Sequence, residues 1–124
     1  MSQAFNVIQS FKCGTAGTIP PNRIIALDPA GLSVQCTGSG GSFASSIGIS
    51  TEVGSDFGLA MDVVVGGVSY LQVGQVSVAG TLLTSDATGQ GIVAVSTNRV
   101  AALLLEPCTT IGQVCKVLVV NSVF

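Results

Sequence analysis

Short blocks of valine, isoleucine and leucine recur along the whole chain, and glycine, proline, serine or aspartate ends each block after a few residues. Within many blocks, apolar and polar residues alternate with a period near two. This pattern is typical of strands and turns, because an amphipathic helix repeats its apolar face at every third or fourth residue. About eight or more short strands follow one another at the spacing of a barrel or a sandwich. The sequence therefore predicts an all-β fold, with a single compact β-barrel or β-sandwich-like domain.

The residues that favour turns divide this domain into predicted strands. Gly66-Gly67 is predicted to form a two-residue hairpin turn between two valine-rich strands. Asp28-Pro29-Ala30-Gly31 and residues 86–89 each contain an aspartate and a glycine, and both are predicted turns. A helix is expected, if anywhere, at residues 109–114, where Thr109 or Thr110 would cap a short turn. The predicted strands are residues 23–27, 32–36, 43–49, 61–65, 68–73, 82–83, 92–95, 100–105 and 116–120.

The N-terminal region differs from the rest of the chain. Residues 1–20 are predicted to be an extended N-terminal arm that ends at Pro20-Pro21, because consecutive prolines favour extended backbone and interrupt a sheet. Residues 21–124 then form the β-rich domain, in which residues 37–42 (TGSGGS) are a flexible linker or loop. The first residues do not resemble a signal peptide. Residues 63–85 carry no charge, but their glycines and glutamines argue against a transmembrane helix.

Charged side chains are scarce. The chain has four Lys and Arg, six Asp and Glu and no histidine among its 124 residues, so that 8% of the residues are charged, against about 25% in an ordinary soluble domain. A surface without scattered charges does not resist association. Four cations cannot supply the basic patch that binds nucleic acid or anionic lipid. The composition therefore indicates a chain whose surface is covered by other protein, with no nucleic-acid or membrane partner.

The same scarcity removes most catalytic chemistry. Without histidine, neither a Ser-His-Asp nor a Cys-His nucleophile can form, and no Ser–Lys motif is recognisable. Glu52 and Asp56 are read as residues of a solvated loop rather than as a pair of catalytic acids. Residues 38–41 lack the Lys-Ser/Thr of a phosphate-binding loop. Asp86 starts a turn, where an aspartate usually accepts local hydrogen bonds instead of binding a cation. We therefore expect no enzyme, no catalytic or metal site, no cofactor and no small-molecule substrate.

Four cysteines leave two interpretations open. They lack the close Cys-x₂-Cys spacing of a zinc site, so the first interpretation is that they are small buried hydrophobic residues. The second interpretation is disulfide bonding, for which four cysteines allow three pairings that the sequence does not rank. The candidates are Cys13, Cys36, Cys108 and Cys115.

Residues 59–120 contain an ordered set of signatures. A strand with one acid, Asp62, leads through Gly66-Gly67 into a valine-rich strand. The frame AG-x-x-L-x-x-D-x-x-G follows at residues 79–89, then an apolar strand between Arg99 and Glu106, and a closing strand at residues 112–119. This order and spacing resemble the small capsid cement (head decoration) proteins of tailed phages. The N-terminal half is similar more loosely, through residues 18–37 and 47–49; the cysteines and residues 38–46 depart from the family pattern.

The resemblance implies a β-rich module that binds the outer surface of an icosahedral phage head. Such proteins commonly form homotrimers, although some are dimers, and they bridge neighbouring subunits of the major capsid protein and stabilise the shell. The implied partners are thus the major capsid protein and further copies of the chain. The implied location is the outside of the capsid in the virion, after synthesis in the host cytoplasm.

The uncharged part of the arm, residues 2–11, is expected to add a strand to the edge of a neighbour's sheet, which is a recurring mode of recognition. The residues that we predict to contact the capsid or another copy lie in this arm and among the few charged positions; they are Phe5, Val7, Ile8, Phe11, Arg23, Arg99 and Glu106. Two other functions remain open. One is another phage structural module, in a tail, a fibre or a head–tail connector, and the other is a small β-barrel enzyme or ligand-binding barrel.

Overall fold

A computed structural model describes residues 7–13, 18–27, 33–35, 46–51, 55–56, 59–86, 88–95 and 99–123. Within these residues every regular element is a strand, which confirms the predicted all-β fold. No helix in the described part of the chain is long and apolar enough to cross a membrane. The strands are β1 (Val7–Lys12), β2 (Thr18–Ile19), β3 (Ile24–Leu27), β4 (Ser33–Gln35), β5 (Ser46–Ser50), β6 (Ser55–Asp56), β7 (Ala60–Gln72), β8 (Leu82–Ser85), β9 (Gly91–Val93), β10 (Arg99–Leu104) and β11 (Val114–Val123).

One large antiparallel sheet forms most of the domain, in the order β4-β3-β5-β7-β11-β10-β8-β9, and β1 also pairs with β7. The sheet curls back on itself, because Gly91 at the start of β9 bridges to Val73, just after β7. The amide of Gly74 also donates to the carbonyl of Gly91 at 2.8 Å. Strands β7, β11, β10, β8 and β9 therefore nearly close into a barrel. Strands β2 and β6 form a separate two-stranded sheet.

The predicted hairpin at Gly66-Gly67 is wrong, because β7 continues through both glycines. The first half of β7 pairs with β1 and β5, and the second half pairs with β11. Since the valines on both sides of the glycines favour extended backbone and find partners without a reversal, no turn forms. Gly67 has a φ of 90°, which only glycine adopts at low cost. The glycines thus provide the bend by which one strand serves both halves of the sheet.

The short helix expected at residues 109–114 is also wrong. The segment is a turn in which the amide of Gln113 donates to the carbonyl of Thr110 at 3.1 Å. The side-chain oxygen of Gln113 accepts hydrogen bonds from the amide and hydroxyl of Thr109. Gly112 has a φ of 90°, which is incompatible with a helix, and β11 begins two residues later.

Apolar side chains fill two clusters on opposite faces of the sheet. The larger cluster lies inside the barrel and includes Ile24, Ile49, Leu71 and Val117. The second cluster packs Ile25, Cys13, Met61 and Val63 against Ile19 of β2. Adjacent residues Ile24 and Ile25 are both fully buried, so β3 lies between two apolar layers. Each fully buried aliphatic side chain contributes about 1.5–3 kcal/mol.

Strand β1 lies at the surface. It pairs with β7 of its own chain from Lys12 opposite Ala60 to Val7 opposite Gly66, and most of its side chains are exposed. The division into an arm at residues 1–20 and a domain at residues 21–124 stays a prediction. The turn at residues 28–31 and the linker at residues 37–42 lie outside the described residues, although β3 and β4 on either side of that turn do pair antiparallel.

Candidate interaction surface

A row of apolar side chains crosses the outer face of the barrel. The cross-strand pairs Val68–Leu118, Leu118–Leu103 and Leu103–Leu82 join four neighbouring strands. Directly opposed residues point to the same face of a sheet. Their chain neighbours Val117, Leu104 and Leu83 are fully buried, so these four residues point outward. We call Val68, Leu118, Leu103 and Leu82 the apolar row; Val68 is 38% exposed and Leu118 is 36% exposed.

Further exposed side chains extend the apolar row on one side. Tyr70 lies two residues beyond Val68 on β7 and is half exposed, and Val114 on β11 is similarly exposed. Lys116 stands opposite Tyr70 and donates its backbone amide to the carboxylate of Glu106 at 2.8 Å. Alternation along a half-buried strand normally places polar residues on the outer face. Here valine, leucine and tyrosine occupy that face, so it is a candidate protein-contact surface.

A second exposed apolar group lies at one end of the barrel. The segment after β7 runs alongside the segment after β10, because Ser77 exchanges two backbone hydrogen bonds with Cys108. Val76 and Val78 flank Ser77 and are strongly exposed, as is Ile111 in the following turn. We call Val76, Val78 and Ile111 the end cluster.

A shallow groove of about 240 Å³ adjoins the apolar row. It is partly apolar, and its uncharged polar residues include Asn22, which has a left-handed backbone with a φ of 58°. The groove shares Val68 and Tyr70 with the face described above. Its lining is Ile8, Asn22, Thr51, Val64, Val68, Ser69 and Tyr70.

The structure places the side chain of Arg23 in an intramolecular network. Its Nε and one terminal nitrogen both donate to Oε1 of Gln72, at 3.0 and 2.7 Å, and the other terminal nitrogen donates to the carbonyl of Thr88 at 3.0 Å. Its backbone amide donates to the hydroxyl of Ser50. Arg23 thereby joins the start of β3 to the end of β7 and to the β8–β9 turn. A contact between Arg23 and another protein stays a prediction.

The other predicted contact residues lie apart from one another. Val7 and Ile8 are half exposed on β1, whereas Phe11 packs partly buried against the second core cluster. Glu106 follows β10 and accepts the hydrogen bond from the Lys116 amide. Arg99 begins β10 opposite Val123, and Phe5 lies outside the described residues. Of these predicted contact residues, Ile8 lies near the apolar row, because it lines the groove to which Val68 also belongs.

The three cysteines in the described part of the chain are all buried. Cys13 belongs to the second core cluster, and Cys108 and Cys115 belong to the cluster inside the barrel. The pKa of the Cys115 thiol is raised to about 11, mainly by burial and in smaller part by the neighbouring Cys108 and Glu106. Cys36 lies outside the described residues.

Asp86 organises the β8–β9 turn, as the sequence predicted. Its Oδ1 accepts hydrogen bonds from the amide and hydroxyl of Thr88, at 2.8 and 2.9 Å, and from the amide of Gln90 at 2.9 Å. The carboxylate thus acts as a local acceptor for backbone groups. Among the described residues, no three Asp, Glu, Cys or His side chains cluster in a way that would hold a metal ion.

The fold is shared with a protein of known structure. The chain matches the crystal structure of the N base of head fiber gp8.5 in bacteriophage phi29 with a TM-score of 0.64. The match covers 95% of this chain and 98% of that chain, at 16% sequence identity. At this identity the likeness establishes a common fold. No protein-family model matches the chain, and no curated protein sequence matches it.

Sequence reasoning did not find the apolar row. The signal is present in the run VCKVLVV at residues 114–120, where apolar residues occupy both faces of the strand around Lys116. A fully buried strand gives the same signal. Only the tertiary structure, which places β7, β11, β10 and β8 side by side and leaves Leu118 exposed while Val117 is buried, shows that one of these faces is open.

Proposed function

We propose that this chain is a structural protein of a phage virion, which binds the outer surface of an icosahedral head and cements neighbouring major capsid protein subunits. The observation that carries the proposal is the fold, which matches the base of a phage head fiber over nearly the full length of both chains. The low charge supports the same function, because 8% charged residues leave few groups that would lose hydration on contact with protein.

The apolar row and Tyr70 are the proposed contact surface. Apolar area that leaves water contributes about 25 cal/mol per Å², and aromatic residues are enriched at the centres of protein interfaces. A charged side chain, Lys116, lies beside this surface, opposite Tyr70. Its long aliphatic stem allows the ammonium group to stay hydrated at the rim, so the desolvation cost of burying the surface is small. In this proposal the protein has no enzymatic activity, no cofactor and neither nucleic acid nor lipid as a partner.

Self-association is part of the proposal. A head offers threefold and quasi-threefold positions, and a homotrimer centred on such a position would present the same surface to three capsid subunits. A dimer is the second arrangement that fits. Sedimentation of the purified chain would give the oligomeric state, and a strictly monomeric chain at all concentrations would contradict self-association without contradicting capsid binding.

The test of the contact surface is binding to heads that lack the protein. The variant Leu118→Lys places a charge in the middle of the apolar row, and Leu59→Lys makes the same change at an exposed residue just before β7, far from the row. We expect Leu118→Lys to lose at least about tenfold in affinity, which corresponds to 1.4 kcal/mol, and Leu59→Lys to bind as the unmodified chain does. Circular dichroism checks that both variants fold. If Leu118→Lys binds fully, the surface is refuted.

Tyr70→Ser provides a second variant in case Leu118→Lys does not fold, because Tyr70 is half exposed and its truncation leaves the core intact. The heads are also heated with and without the bound chain. Cementing predicts that bound heads resist a higher temperature before they release DNA. An absence of any binding to heads would refute the proposed function as a whole.

A second candidate function is the base of a head fiber, which the matched structure favours specifically. A cement protein occurs in hundreds of copies and covers the shell, whereas a fibre component is expected in fewer copies and supports a projecting shaft. Electron microscopy of the native particle separates the two, through the copy number and the presence of density that projects from the bound chain.

A further inference from the structure

Two cysteine thiols meet inside the barrel. Cys108 lies just after β10, and Cys115 is the second residue of β11, opposite Leu71. Both side chains are essentially fully buried in the same core cluster, and the Cys115 thiol donates to the carbonyl of Gln113 at 3.9 Å. Cys108 also donates to the carbonyl of Thr110 at 3.2 Å. Both thiols therefore bond to carbonyls of the short turn that connects them, inside one core cluster.

The backbone holds the two cysteines in this arrangement. Cys108 is fixed by two hydrogen bonds to Ser77, at 3.1 and 2.8 Å, and the residue before Cys115 begins β11. The turn that connects them is tied to the end of β7, because Gly112 donates to the carbonyl of Val73 at 2.7 Å and Val73 donates to Gln113 at 2.9 Å. Both ends of the connection are thus anchored to the segment that follows β7, so the thiols stay together without a large rearrangement.

We propose that Cys108 and Cys115 form a dithiol site that a small-molecule disulfide converts to an intramolecular disulfide. The thiolate of one cysteine attacks the external disulfide, forms a mixed disulfide and releases one small thiol. The second cysteine gives its proton to solvent and attacks the protein sulfur of the mixed disulfide, which releases the second small thiol. Two protein S–H bonds are lost and one S–S bond forms, while the external disulfide is reduced to two thiols.

The environment explains why the site persists as two thiols until it is challenged. Both sulfur atoms are shielded from solvent, so an external disulfide reaches them only when the end of the barrel opens locally. The raised pKa of Cys115 keeps that group protonated near neutral pH and slows its attack. We therefore expect slow conversion that follows the opening of the turn between β10 and β11.

The site has a structural consequence at the protein surface. The turn between the two cysteines carries Ile111 of the end cluster, and Ser77 between Val76 and Val78 is bonded to Cys108. A covalent link between Cys108 and Cys115 closes this turn into a ring and restricts the local opening of that end of the barrel. This inference concerns the chemistry of the chain itself and holds whether or not the chain binds capsids.

The experiment uses the full chain, reduced and then incubated with oxidised glutathione. Trypsin cuts after Arg99 and after Lys116, so residues 100–116 form one peptide that contains both cysteines. We expect this peptide to lose two hydrogen atoms by mass, to resist alkylation, and to recover both thiols after treatment with a reductant. The apparent midpoint of thermal unfolding should rise on oxidation and return on reduction.

Cys13 provides a matched control, because it is equally buried but belongs to the other core cluster. Cys13→Ser should leave the conversion of residues 100–116 unchanged, and Cys108→Ser should abolish it. Since the principal measurement is made on the unmodified chain, it remains decisive if Cys108→Ser does not fold. Full alkylation of both cysteines after prolonged oxidation, or a disulfide that joins either of them to Cys13, Cys36 or a second copy, would overturn the proposal.

Discussion

Thr84 on β8 offers a test of the energetics of the barrel, because replacing it by valine should stabilise the protein. The side chain is fully buried, and its hydroxyl has no hydrogen-bond partner in the described part of the chain. Valine has nearly the same shape and a methyl group in place of the hydroxyl. It also has a high preference for strands. The substitution therefore removes an unsatisfied polar group and leaves the packing unchanged.

The expected gain follows from the cost of burying a hydroxyl without a partner. This cost is about 1–3 kcal/mol. Small packing adjustments around the new methyl group offset part of the stabilisation gained by removing the hydroxyl. We expect Thr84→Val to raise the free energy of unfolding by about 1 kcal/mol, which corresponds to roughly 4 °C in the melting temperature of a domain of this size.

Equilibrium unfolding in urea measures the difference, with the slope of the transition checked for two-state behaviour. Thr81→Val is the matched control, because the hydroxyl of Thr81 donates to the carbonyl of Val78 at 2.7 Å. That variant should lose about 0.5–1 kcal/mol, since it removes a hydrogen bond. The same substitution thus has opposite signs at two positions. If Thr84→Val is less stable than the unmodified chain, the assignment of Thr84 as unsatisfied is refuted.

Three further predictions concern stability. Arg23→Met should lower the free energy of unfolding by about 2 kcal/mol because it removes the paired hydrogen bonds to Gln72; chemical denaturation measures this, and an unchanged midpoint would exclude a structural role. Gly48→Ala should cost about 3 kcal/mol, since its Cβ would overlap a backbone carbonyl of β7, whereas Gly66→Ala, with 3.6 Å to the nearest atom, should stay within about 1 kcal/mol; equal melting temperatures would contradict this. The pKa of Cys115 is raised from 9.0 to about 11, so the stability contributed by its neutral thiol is complete below pH 9 and is lost as the pH rises towards 11; the alkaline slope of stability should be shallower in Cys115→Ala, and an identical slope would refute the shift.

Local patterns predicted the class of the fold and many strands. The predicted strand at residues 100–105 agrees with β10 to within one residue at each end. Its position could be predicted because a charged residue bounds the apolar block on each side. Asp86 was correctly predicted to organise a turn, since an Asx turn depends on neighbours within four residues. Such features depend on interactions that are local in the sequence.

The errors occurred where distant segments decide the structure. Gly66-Gly67 satisfies the local rule for a hairpin, but β1 and β11 pair with β7 on either side of the glycines and hold it extended. The turn at residues 109–114 is tied to Val73, far away in the sequence, and this tie replaces the expected helix. The pairing partners of a strand are not encoded in its own residues, so these outcomes could not be predicted locally.

The sequence by itself determined that this chain is all-β, that it carries few charges and that it has no histidine for nucleophilic catalysis, because composition and the period of the apolar residues determine these properties directly. Only the tertiary structure decided which apolar faces are buried. It placed Val68 and Leu118 on the outside while Val117 fills the core, and it brought Cys108 next to Cys115. The physical reason is that burial depends on the order of strands in the sheet, and that order is set by contacts between residues far apart in the chain.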